Sequence, residues 1–159
     1  MRTLYKVFIP LLLVTTGTVL GALQPVEHQN IGSNGAPRRV AIVSEWSRYK
    51  AALIESLTEE LDDGETSIAV RNFNDFASLD ARDFDAVIVI NAGVGSEVRR
   101  PVVDWLTRQS PDDNIVVLTT QISDWTPQIE VDSVTAASRN RNISNVSGEL
   151  VEIARSYYR

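Results

Sequence analysis

The sequence predicts an α/β domain built on a doubly wound, five-stranded parallel sheet, preceded by an N-terminal hydrophobic segment. Three observations carry this. Apolar runs of strand length alternate with segments whose apolar residues recur at helical spacing. The central run, residues 85–93, has no in–out alternation, so it is expected to be buried on both faces. The connections are long enough to return the chain and keep consecutive strands parallel.

The elements follow in order from residue 38. RRVAIVS (38–44) is a short β-branched run suited to a buried strand. SRYKAALIESLTEELDDG (47–64) places Ala52, Leu53, Leu57 and Leu61 on one helical stripe and stops at Gly64. TSIAVRNF (66–73) reads as the second strand, and NDFASLDARDF (74–84) as a short, polar, turn-rich connection. DAVIVINAG (85–93) is the third strand. SEVRRPVVDWLTRQS (96–110) is a helix with Val98, Val102 and Leu106 in one stripe, Val103 and Trp105 beside it, and Pro101 in its first turn. DNIVVLTTQ (113–121) is the fourth strand, ISDWTPQIE (122–130) a loop, and VDSVTAAS (131–138) a shorter fifth strand. Residues 142–159 close the chain as a helix through Val146, Leu150, Ile153 and Tyr157, weakened by Gly148.

Composition removes whole classes of chemistry. The chain has 159 residues, the length of one domain, and a formal net charge of −6, which gives nucleic acid no basic face. With no cysteine, disulfides, thiolate metal sites and cysteine nucleophiles are excluded. The single histidine, His28, lies in a linker-like stretch, which leaves the folded part without a Ser-His-Asp arrangement or a histidine-based zinc site. No metal site is expected.

The N-terminus reads as a targeting segment. Arg2 and Lys6 precede an uncharged apolar stretch, residues 7–23, the pattern of a secretory signal or membrane anchor. Both a cleaved signal and a retained anchor fit it, because the stretch is slightly short for a span and interrupted by Thr15, Thr16 and Thr18. The expected location is extracytoplasmic, secreted or held at the membrane by residues 7–23. QPVEHQNIGSNGAP (24–37), with Pro, Gly, Asn and Ser and no periodicity, reads as a linker to a domain over 38–159.

In a doubly wound sheet, ligands sit beyond the carboxyl ends of the strands at the switch point. That singles out three loops. The first holds Ser44, Trp46, Ser47 and Arg48. The second holds Asn91, Ala92, Gly93 and Gly95, whose glycines either admit a flat ligand or make a tight turn. The third holds Thr119, Thr120, Asp124 and Trp125. None of these residues forms a recognisable catalytic set.

The segments IAVRNFNDFASLDARDFDAVIVI, RRPVVDWLTR and NIVVLTTQ, with Asp83, Asp85 and Ala86 before the third strand and Pro101 opening the next helix, give the chain a resemblance to flavodoxins over most of residues 39–158. The resemblance implies a flavodoxin-like fold and FMN at the three loops, with Trp46 and Trp125 as ring-stacking candidates. It also implies a redox protein partner. The family's phosphate loop is rich in hydroxyls and carries a glycine. Here it reads Ser44-Glu45-Trp46-Ser47-Arg48-Tyr49, with no glycine and a carboxylate where an anion would bind. Ser44 or Ser47 also fits as a helix cap, and Arg48 as a phosphate partner.

A second motif, Asp132-Ser133-Val134-Thr135-Ala136-Ala137-Ser138, is similar to the acceptor sequence of exported FMN-binding domains, in which flavin is attached through a phosphoester. That similarity implies Ser138 as the attachment point; small residues closing a fifth strand are the alternative. The expectations are therefore an exported or tethered flavodoxin-like protein using FMN for electron transfer, a cofactor-free interaction module on the same fold, or an enzyme for a small anionic metabolite using Ser123, Asp124 and Arg48.

Overall fold

A computed structural model describes residues 28–92, 98–109, 114–120 and 131–158. Its sheet has six strands: β1 (Gln29–Ile31), β2 (Arg38–Ser44), β3 (Thr66–Asn72), β4 (Ala86–Ala92), β5 (Ile115–Thr120) and β6 (Asp132–Ala136). The spatial order is β1-β3-β2-β4-β5-β6. From β3 to β6 every neighbouring pair is parallel, as expected, and β1 pairs with β3 antiparallel.

The extra strand corrects the five-stranded expectation. It lies inside the stretch read as a linker, so the folded unit begins before residue 38. Without it, β3 would present an unpaired edge. Three local features bring Gln29–Ile31 onto that edge. Gly32 turns the chain with φ +85°, a left-handed conformation, and a Cβ there would stand 2.5 Å from the Thr66 carbonyl oxygen. Arg71 of β3 donates to the Gln29 carbonyl at 3.2 Å and to Asn30 Oδ1 at 2.8 Å. His28 Nε2 lies 2.7 Å from the Asp75 carboxylate.

Strand alternation sorts the apolar residues into two cores. Val40, Ile42, Ile68, Ile88, Ile90, Val116 and Leu118 face one layer, formed by α1 (Arg48–Leu61) and α3 (Ile143–Ser156). Ala41, Val43, Val87, Val89, Ile115 and Val117 face the other, formed by α2 (Arg100–Leu106) and the connection after β3. This is why the strand sequences show no polar alternation: both faces are covered.

The helices follow the expected stripes. Leu53, Leu57 and Leu61 of α1 pack against Val146, Leu150, Val151 and Ala154 of α3. α1 ends at Leu61, and Gly64, with φ +78°, turns the chain toward β3. α2 is shorter than the expected 96–110. Arg99 is extended, and the chain tightens after Leu106, with Arg108 and Gln109 N–H bonding back to Trp105 and Leu106. The 74–84 connection forms two 3₁₀ turns, Phe73–Ala77 and Ala81–Asp83, the first closed by a reciprocal Asn72–Asp75 capping box.

Tyr157, just past α3, fastens the end of the chain to the sheet. Its hydroxyl donates to the Asp132 carboxylate and also lies 3.2 Å from the Ile115 carbonyl oxygen. Burial, then the Asp132 carboxylate, push its ionisation well above the ordinary phenol range. The folded state therefore keeps the proton where the unfolded chain releases it, so stability falls as pH rises above about 10. The urea midpoint of the full chain is expected to drop between about pH 9 and pH 11, and Tyr157→Phe to flatten that drop. An unchanged alkaline slope in the variant would remove Tyr157 from this account.

Candidate functional site

Strands β2 to β6 are parallel, so their carboxyl ends share one edge of the sheet. The chain runs from β2 to β3 on one side and reaches β4 on the other, which puts the switch point between β2 and β4. Ser44 and Glu45 end one strand at this crevice and Asn91 and Ala92 end the other.

The first loop is organised around Glu45. Its carboxylate accepts from Lys50 Nζ at 2.7 Å and pairs with the Arg99 guanidinium. The Lys50 side chain is only 4% exposed, while Glu45 and Arg99 remain open to 22% and 43%. Burial lowers the Lys50 pKa, and the hydrogen bond from Lys50 to Glu45 works against that shift. The Phe73 ring lies 5.9 Å from the ammonium and supplies a second, weaker partner.

The hydroxyls of this loop have local roles. Ser47 caps α1 by accepting from the Lys50 N–H at 3.1 Å. The buried Ser44 hydroxyl donates to the Glu45 carbonyl at 2.8 Å. Trp46 is half-buried beside them and Arg48, the first residue of α1, is exposed. A phosphate placed at this helix start would meet the Glu45 carboxylate, which already holds Lys50 and Arg99, with Arg48 beside it.

Across the crevice, Asn91 and Thr119 are register partners on β4 and β5, and both are fully buried. Asn91 Oδ1 accepts from the Arg99 N–H at 3.4 Å. Thr120, also buried, donates to the Asn91 carbonyl at 3.2 Å. Among the described residues, Asn91 Nδ2 and Thr119 Oγ1 have no hydrogen-bond partner. Leaving a buried polar group unpaired costs about 1–3 kcal/mol, so two side by side are a feature to be explained.

The crevice thus brings together Ser44, Ser47, Asn91, Thr119 and Thr120, with Ala92 half-buried at the end of β4. Ser138 is exposed, just beyond β6 on the same edge of the sheet. Gly93, Gly95, Ser123, Asp124 and Trp125 lie outside the described residues, as do residues 7–23. Among the described residues no helix is long and apolar enough to cross a membrane.

Sequence reading missed Lys50 and Arg99. Lys50 carried a signal: it lies three residues before Leu53 and seven before Leu57, on the apolar stripe of α1, where a lysine needs a buried partner. Arg99 carried none, because its partner is 54 positions earlier in the chain.

No protein-family model matches this sequence, and no curated protein matches it. Solved structures do match, and they show a flavodoxin-like fold. An archaeal flavodoxin aligns at TM-score 0.50 with 10% identity over 75% of this chain and 98% of its own. An oxidoreductase from Corynebacterium diphtheriae aligns at TM-score 0.52 with 12% identity over 75% of this chain and 97% of its own. The rubredoxin oxygen:oxidoreductase from Desulfovibrio gigas aligns at TM-score 0.52 with 14% identity over 77% of this chain. The chain spans about a third of that last protein, 36% of its length, as it does of the flavodiiron core of Synechocystis.

Proposed function

We propose that this chain is a flavodoxin-fold binding module, held at the membrane by residues 7–23, in which the chain's own Glu45 takes the place of a bound phosphate at the first loop. The observation that carries the reading is the Lys50–Glu45–Arg99 arrangement. Lys50 and Arg99 are both paired with the chain's own carboxylate, Ser47 is spent on the helix cap, and the loop has no glycine to let backbone approach a phosphate closely. The exposed faces of α1 and α3 carry Glu55, Glu59, Glu149 and Glu152, so the partner that fits best is a protein with a basic surface.

A second reading, an FMN-dependent electron carrier, is favoured by the flavodoxin-like fold and by the unpaired Asn91 and Thr119 groups at the same crevice. FMN, if bound, supplies one- and two-electron chemistry at its ring. Asn91, Thr119 and Thr120 would be its polar contacts in the described part of the crevice.

Absorbance of the full chain, purified from its native membrane or exported fraction, separates the two. The binding-module reading predicts a colourless protein that does not quench added FMN fluorescence. Yellow colour released on denaturation would overturn it in favour of the electron carrier. Fluorescence that stays with the chain on a denaturing gel and disappears in Ser138→Ala would do so through covalent attachment.

A further inference from the structure

Asn91 and Thr119 follow Val87 and Val89 on β4, and Ile115 and Val117 on β5, at the two-residue strand period. Both side chains therefore point to the α2 face of the sheet, at adjacent positions about 5 Å apart across the strand pair. The Asn91 amide is oriented by one contact, at 3.4 Å. Its oxygen accepts the Arg99 N–H, so its nitrogen is the end left without a partner. The Thr119 hydroxyl is likewise unpartnered among the described residues. Arg99 joins this pair to Glu45, its backbone on Asn91 and its guanidinium on the Glu45 carboxylate. The charges of this cluster do not cancel: Lys50 and Arg99 are two cations around one carboxylate, which leaves one positive charge.

We propose that Asn91, Thr119 and Arg99 form a binding site for a small monocarboxylate. One carboxylate oxygen accepts from Asn91 Nδ2 and Thr119 Oγ1, and the ligand's single negative charge balances the surplus cation, with the half-exposed Arg99 guanidinium as the charged contact. The site selects a monoanion because Glu45 already supplies the other negative charge. A phosphate dianion would leave an excess of one. This deepens the reading of the chain as a binding module and rests on it.

The test follows the Asn91 side-chain amide resonances and the thermal midpoint of the full chain in detergent, titrated with acetate, pyruvate, inorganic phosphate and FMN. Acetate or pyruvate is expected to shift the Asn91 amide resonances and raise the midpoint; phosphate, titrated above its second pKa where it is the dianion, is expected to do neither. Thr119→Val keeps the shape of the side chain and removes an unpaired hydroxyl. It is expected to fold at least as stably as the parent and to bind the carboxylate about tenfold or more weakly. Equal binding by Thr119→Val, a preference for phosphate, or resonances that move with no carboxylate at millimolar concentration would overturn the proposal. The last result would leave an ordered water as the partner of the two groups. FMN moving the same resonances would overturn both this site and the module reading. Silence from all four probes would overturn the site alone.

Discussion

Replacing Trp105 with alanine is expected to lower the free energy of unfolding by about 3–5 kcal/mol, the range for deleting a large buried aromatic side chain. Trp105 is fully buried and is the largest such side chain among the described residues. It anchors the α2 layer from three directions. Its ring stacks on Phe76 at 4.9 Å between centroids, and Phe76 stacks on Phe73 at 5.0 Å. Its indole N–H donates to the Leu79 carbonyl at 2.9 Å. Around it lie Val102, Leu106 and the α2-facing residues of β2, β4 and β5. The effect is therefore larger than the lost side chain alone, because the connection between β3 and β4 has no regular helix and leans on this ring for its position. Trp105→Phe keeps an aromatic surface and loses the N–H bond, which strands the Leu79 carbonyl; a loss of about 1–3 kcal/mol is expected. Urea denaturation of both variants, read from the midpoint at constant slope, checks the pair. A Trp105→Ala loss under about 1 kcal/mol would mean that the layer collapses onto the cavity more completely than close packing allows.

Much of this arrangement was legible in the sequence, for reasons that can be named. The runs at 38–44, 85–93 and 113–121 are β-branched without polar alternation, and only a sheet covered on both faces accommodates that. Leu53, Leu57 and Leu61 repeat at helical spacing, and that stripe packs α1 against α3 in one of the two cores. Such patterns are local, so one chain suffices to read them. β1 was not legible, because Gln29–Ile31 is three residues long, two of them polar and exposed. Its pairing is decided by the open edge of β3 and by Arg71, more than 40 residues away. The site divides the same way. Topology alone placed Ser44, Asn91, Thr119 and Thr120 at the crevice. The ion pairs among Glu45, Lys50 and Arg99 join a loop, a helix face and the start of another helix, and charge at one position does not disclose its partner at a distant one.

Removing the central carboxylate is the other large effect. Glu45→Ala is expected to cost about 3–5 kcal/mol near neutral pH, because it leaves the Lys50 ammonium buried without its partner. The asymmetry of the cluster gives a sharper expectation. Lys50→Met removes the buried charge and keeps the apolar stem, while Glu45, still partly exposed, retains Arg99. It is expected to cost less than Glu45→Ala, and the double variant to recover most of the Glu45→Ala loss. The pH dependence has a definite sign. Burial already lowers the Lys50 pKa, and the opposing effect of Glu45 disappears in the variant. Between that lowered value and the ordinary lysine value near 10.4, the unfolded chain holds a proton that the folded chain does not. Stability of Glu45→Ala therefore rises with pH across this window, and its deficit against the parent narrows toward about pH 10. Chemical denaturation of variant and parent at intervals from about pH 7 to pH 10 reads this directly, because the opposing effect of Tyr157 is common to both chains and cancels in the deficit. A deficit that stays constant across the window would assign the loss to packing around the loop. A deficit that narrows would identify the stranded ammonium as its cause, and with it Glu45 as the anion this corner was built to hold.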